Sequence, residues 1–181
     1  MKKIFTTILL ACITLFSCNT NTAEDYFGKA ALNCNLLYGF AGYELKRDLA
    51  TPSEKLVDEK TLATAPMKRA EVVKNKITTV EENFEKVKSL GSNAEADEML
   101  KASKALYEYV LPVYKNEYQQ LAALYDNAAA ADKIEAMEKS INEKYEPNFL
   151  KLYDAVWQAG KVYASKNGIK VQEVNPSPSG N

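Results

Sequence analysis

The sequence predicts an all-α protein, an antiparallel up-down-up-down four-helix bundle with long helices. Three observations carry that prediction. Only seven glycines and six prolines punctuate the 181 residues, and Ala, Leu, Glu and Lys are abundant between them, a composition that favours long uninterrupted helices. Apolar residues recur at steps of three and four, and no stretch alternates convincingly with period two. The links between the apolar stripes are mostly short, which sets consecutive helices antiparallel. Four stripes of roughly 25 to 35 residues, about 40 to 50 Å long at 1.5 Å per residue, bury themselves most simply against one another.

The chain opens on three zones that do not belong to the bundle. Lys2 and Lys3 form a positive start, Ile4 to Phe16 is mostly apolar and uncharged, and Leu15-Phe16-Ser17-Cys18 closes the stretch. A span this short falls below the ~20 residues that cross a bilayer as a stable helix, and the three zones together are those of a secretory signal. Residues 1–17 are thus expected to be a signal peptide, 18–22 a tether, 23–168 the helical domain and 169–181 a disordered tail.

The ending Leu15-Phe16-Ser17-Cys18 resembles the lipobox of bacterial lipoproteins. Leu15, Ser17 and Cys18 match its pattern, and Phe16 is bulkier than usual at its position. The resemblance covers the first 18 residues. It implies diacylglycerol on the Cys18 thiol, cleavage before Cys18, an acylated new N-terminus and a membrane held through that N-terminal lipid. A single acyl chain holds a protein reversibly, whereas several chains anchor it stably. Asn19 follows the cysteine in place of the Asp that resembles an inner-membrane retention signal. The expected location is therefore the cell envelope, at the periplasmic face of the outer membrane where the organism has one. No dense acidic run follows Cys18, so surface export is not indicated.

Helix 1 is expected over Ala23 to Ala50, capped by Thr22 with Asp25 three residues on. Phe27, Ala31, Cys34, Tyr38, Ala41, Leu45 and Leu49 form its stripe, widened by Leu36, Leu37, Phe40 and Tyr43, with Gly39 and Gly42 allowing a close crossing. Thr51-Pro52 ends it. Residues 51 to 64 make the longest connection, with Leu56 and Val57 in a short helical turn. Helix 2 begins near Pro66, and Ala70, Val73, Ile77, Val80, Phe84 and Val87 form an a/d seam behind a charged, solvated face. Gly91 is expected to stop helix 2 in the left-handed conformation, and Ser92 with Glu95 to cap helix 3. Helix 3 continues to about Asn127. Helix 4 runs from about Asp132 to Lys166, with Asp132 and Glu135 as a second capping pair and Gly168 just past its end. Its stripe is Ile134, Met137, Ile141, Tyr145, Phe149, Leu152, Val156 and Tyr163.

The composition excludes several functions. Cleavage before Cys18 removes two lysines and leaves 21 basic against 24 acidic residues, a formal charge of −3, without the basic stripe that a nucleic-acid partner needs. The chain contains no histidine, which removes Ser-His-Asp and Cys-His catalysis, the Glu-x-x-His metal pairs of di-iron bundles and the common haem ligand. Cys34 is the one thiol left in the mature chain, and its apolar surroundings read as core. No Gly-rich phosphate loop or calcium-loop spacing occurs. No metal, no cofactor and no catalysis are expected. The first reading is a non-catalytic, membrane-anchored envelope lipoprotein that binds or scaffolds another envelope protein. The alternative is a small-molecule binder with a Tyr-lined pocket between helices 3 and 4, because seven of the eleven tyrosines fall between Tyr107 and Tyr153.

Two prolines mark the level where such a site is expected. Pro112 and Pro147 each lie inside a strongly helical segment, where proline deletes one backbone hydrogen bond and clashes with the carbonyl four residues earlier, here those of Glu108 and Glu143. If the hairpin between helices 3 and 4 turns between Asn127 and Asp132, the two prolines fall within about one turn of the same level. Tyr109, Pro112, Tyr114, Glu117, Tyr145, Pro147 and Phe149 gather there, and kinked or bulged helices often mark functional positions.

Overall fold

The computed structural model describes residues 21–51 and 53–171, and of residues 43–45 the backbone alone. The signal peptide, Cys18 and most of the expected tail lie outside the described residues. The fold is mostly helical, with long helices and a small two-stranded sheet. No described helix is long and apolar enough to cross a membrane.

The first helix starts as its sequence requires. Helix α1, Ala23–Ala30, is capped by Thr22, whose hydroxyl accepts the Asp25 N–H at 3.1 Å while the Asp25 carboxylate accepts the Thr22 N–H at 2.9 Å. These bonds hold the Asp25 carboxyl below its ordinary pKa. The continuous helix expected to Ala50 is not present. A 3-10 segment spans Leu32–Leu37, a turn follows, and helix α2 covers Tyr43–Ala50. Gly39 and Ala41 stand at φ 78° and 60°, left-handed conformations that stop a helix. The backbone groups released there are taken up from far along the chain. The Tyr118 hydroxyl accepts the Ala41 N–H at 2.7 Å, and the Asn142 amide donates to the Ala41 carbonyl at 3.0 Å. Phe40 thereby turns inward, whereas Tyr38, expected on the inward stripe, is 61% exposed.

The connection that follows is a hairpin, not a helical turn. Strand β1, Glu54–Asp58, pairs antiparallel with β2, Ala63–Pro66, so that Leu56 faces Thr64 and Glu54 faces Pro66. The Asp58 carboxylate accepts the N–H groups of Lys60 and Thr61 at 2.8 and 3.2 Å and shapes the turn. Helix α3, Arg69–Lys88, begins beyond β2. Its first N–H groups are capped from the far end of another helix, where the Asp126 carboxylate accepts from Arg69 at 2.7 Å and from Ala70 at 3.0 Å. Val73, Val80 and Val87 are fully buried on the expected seam, with Ile77 and Phe84 packed beside them. The opposite face is less uniformly solvated than its charges suggest. Arg69 donates to the carbonyls of Leu49 and Ala50, and Lys76 to that of Leu36.

The tight cap expected between helices 2 and 3 takes another form. Gly91 is not in the left-handed region, and Ser92 caps nothing, because helix α4, Asp97–Val113, begins later, at an Ala96 cap without a side-chain bond. Asn93 makes the turn instead, its side chain accepting the Glu95 N–H at 3.0 Å. Helix α4 passes through a π-helical turn, Tyr114–Tyr118, into α5, Gln119–Asp126. Helix α6 then runs over Ala131–Lys166. Asp132 does not cap it, since its carboxylate takes the neighbouring Lys133 N–H. Gly168, at φ 67°, closes it as expected.

One contiguous core joins the helices. Helix α6 packs against α1, α4 and α5, and α3 packs against α1, α4 and α5. Close approaches occur at Gly160, where an added Cβ would come within 3.0 Å of the Ala31 methyl, and at the expected Gly42, where it would come within 2.9 Å of the Glu146 carboxylate on α6. Ile169 and Val171 also pack on the core, so the ordered chain extends into the segment expected to be tail.

Candidate functional site

Pro112 has no N–H to give, and a π-helical turn, Tyr114–Tyr118, begins two residues beyond it. The Pro112 carbonyl accepts from the Asn116 amide at 2.8 Å. Helix α6, by contrast, stays α-helical through Pro147. Both prolines are exposed, so they shape the helices from outside and line no interior space.

The neighbours of the two prolines do meet. The Tyr109 hydroxyl donates to the Tyr145 carbonyl at 3.1 Å, and the two rings lie edge to face at 6.2 Å. The Tyr145 hydroxyl donates to the Glu117 carboxylate, which also faces Lys144 at 3.8 Å. The Lys144 ammonium lies 4.7 Å from the centre of the Tyr145 ring, a cation–π distance. Tyr109, Glu117 and Tyr145 therefore bridge α4–α5 to α6 with polar contacts. Tyr114 and Phe149 belong to a second group. Both rings contact Phe40, at 5.2 and 5.0 Å, and Phe40 also meets Tyr109 at 6.4 Å and Tyr118 at 5.7 Å.

Phe40 is thus the centre that joins the expected site residues, and neither it nor Tyr118 was among them. The sequence does carry a trace of it, a large aromatic placed between Gly39 and Gly42 in an otherwise helical stretch. Tyr118 performs two tasks there. Its ring fills the cluster and its hydroxyl fixes the broken backbone at Ala41.

An open space lies beside Tyr114. A cleft of about 220 Å³ is lined by Asn35, Leu36, Tyr38, Gly39, Phe40, Asp48, Lys76 and Tyr114. Of the seven residues singled out by the sequence, Tyr114 alone reaches it. A second, smaller space of about 20 Å³ lies between Ala41, Lys46, Tyr118 and Glu138 and has room for a single water.

These groups offer aromatic faces, hydroxyl donors and a few charged side chains. Among the described residues no group of three or more Cys, Asp or Glu is placed to hold a metal ion. Cys34 is fully buried, and burial pushes its thiol up to about 11, which leaves little nucleophilic thiolate at neutral pH. Burial also holds the hydroxyls of Tyr114 and Tyr118 far above the ordinary tyrosine value, so both stay protonated donors. Comparison with protein-family models, with curated proteins and with solved structures finds no match to this chain.

Proposed function

We propose that the protein is a lipid-anchored, non-catalytic module of the bacterial cell envelope that binds another envelope protein through its β-hairpin. Cys18 carries the lipid, and the outer membrane, at its periplasmic face, is the expected site where the organism has one. The helices form an up-down-up-down bundle whose first strut is broken at Gly39, and they serve as the platform.

The observation that supports this reading is the exposure of the hairpin. Every residue of β1 is solvent-exposed, and Leu56, Val57 and Leu62 are 51, 57 and 72% exposed. A two-stranded hairpin without a covered face is marginally stable in water. Both strands are also edges, whose free N–H and C=O groups offer a template for a further strand. Leu62 stands at φ 56°, which costs a residue with a Cβ about 1 to 2 kcal/mol. Strain of this kind persists where surrounding structure or function maintains it. An edge with projecting aliphatic side chains suits strand addition by a partner, with main-chain bonds for affinity and side chains for selection.

The test is crosslinking in intact envelopes, comparing the native chain with a variant carrying Leu56→Asp, Val57→Asp and Leu62→Asp. A specific adduct should form with the native chain and vanish with the variant, while the melting of the purified variant stays unchanged. Equal adducts from both chains would remove the hairpin from the reading. Separately, Cys18→Ala should move the protein from the membrane to the soluble fraction.

A further inference from the structure

The cleft beside Tyr114 owes its shape to the broken first helix. The positive φ of Gly39 sends Tyr38 outward and Phe40 inward, so one ring stands at the mouth and one at the floor. Tyr114, the first residue of the π-helical turn, completes the floor and is only 2% exposed. Its hydroxyl makes no hydrogen bond to any described residue, in contrast to that of Tyr118 beside it. Unlike the Tyr107 hydroxyl, that of Tyr114 is not cut off from solvent, so a ligand oxygen would bond to it in place of cleft water.

The charged lining residues have opposite signs. Asp48, on α2, contributes a half-exposed carboxylate, paired at 3.3 Å with its neighbour Arg47. Asp48 and Tyr114 line the same cleft, and the carboxylate adds to burial in holding the Tyr114 hydroxyl protonated. Lys76, on α3, brings its ammonium to the Leu36 carbonyl at the cleft wall. A simple anion placed here meets Asp48, and a simple cation meets Lys76. A molecule with both signs is favoured at each pole. The cleft of about 220 Å³, against about 30 Å³ for each water in the liquid, suits a ligand much smaller than a drug or nucleotide.

We propose that this cleft binds a small zwitterion of the α-amino acid class. The ammonium lies at Asp48, the carboxylate takes the Tyr114 hydroxyl and faces Lys76, and an apolar side chain rests on Phe40 and Tyr38. This site shares no residue with the hairpin, so it stands or falls apart from the partner-binding reading.

The experiment is calorimetric titration of the full mature chain, purified in detergent, with leucine and phenylalanine. Each is matched by a carboxylate lacking the amine and an amine lacking the carboxylate. At least one amino acid should bind with a dissociation constant of about 1 mM or tighter, and its single-charge analogues about tenfold more weakly. Tyr114→Phe and Asp48→Asn should each weaken binding about tenfold, a difference worth one good polar contact, with unchanged thermal melting. Asp48 is exposed, so its variant keeps the fold even if the tyrosine variant does not. No binding of either amino acid up to about 10 mM would overturn the proposal. So would equal affinity for a single-charge analogue, or unchanged affinity in the Asp48→Asn chain.

Discussion

Tyr107 stacks its ring on Phe84, with centroids 5.5 Å apart, and buries its hydroxyl with no hydrogen-bond partner. Ser103 and Cys34 are fully buried in the same core, 3.6 Å apart, and the Cys34 thiol also faces the Ala30 carbonyl at 3.3 Å. The thiol and the serine satisfy one another weakly, and the tyrosine hydroxyl lies beside the thiol without a hydrogen bond of good geometry. Its ring contributes by area and stacking, whereas its oxygen carries a desolvation cost with no return. Tyr107→Phe is therefore expected to raise the unfolding free energy by about 1 kcal/mol, which lifts the melting temperature by about 2 to 4 °C in a chain of this size. Urea unfolding followed by circular dichroism measures it. A fall in stability would mean that the hydroxyl is bonded in solution, with Cys34 as the neighbour to examine. Nothing in the sequence separates Tyr107 from the other tyrosines of its stretch. The distinction arises only when Phe84, from another helix, covers it.

Elements whose instructions are local were readable from the sequence, and those whose instructions come from elsewhere were not. The seam of Val73, Val80 and Val87 declares itself by spacing, and the Thr22–Asp25 cap by its two residue types. The break in the first helix depends on Tyr118 and Asn142, which lie 77 and 101 residues from Ala41, and no window along the chain can hold both. The hairpin escapes for a related reason. Its turn uses Asp58 and a left-handed Leu62 in place of the Asn-Gly or Asp-Gly pair that announces a hairpin. The expected level at Pro112 and Pro147 brought together Tyr109, Glu117 and Tyr145, but the cleft opened where the unreadable break placed Phe40. Asp126 is another long-range instruction, since it ends α5 and caps α3 at once. Asp126→Ala should lower stability by about 1 kcal/mol, and Asp126→Asn by clearly less, because Asn caps nearly as well as Asp. The same urea titration distinguishes them. Equal losses would place the contribution in the charge at the helix end and not in the two hydrogen bonds.

Across the whole molecule, the ends of the helices are sorted along one axis. The start of α1 meets the end of α3 where the Tyr26 hydroxyl donates to the Gly91 carbonyl at 2.9 Å, and the end of α6 joins them through Tyr163, whose ring lies 6.5 Å from that of Tyr26. The hairpin adjoins the other end of α3, beside the turn between α5 and α6 that Asp126 marks. Helix α3 has 20 residues and separates these two ends by about 30 Å. A lipid on Cys18 is joined to Ala23 by a tether that reaches roughly 17 Å when fully extended. Under the proposed anchoring, the Gly91 end stays near the bilayer and the hairpin is carried outward, away from headgroups that would compete for its aliphatic side chains. The arrangement is checked by placing one fluorophore at Ser92 or at Thr61, both exposed, in the lipidated chain reconstituted with headgroup-quencher vesicles. Strong quenching is expected at Ser92 and weak quenching at Thr61, because contact quenching does not reach across about 30 Å. Equal quenching at both positions would mean that the molecule lies along the membrane. The hairpin edge would then be held against lipid, where a strand from a partner could not be added.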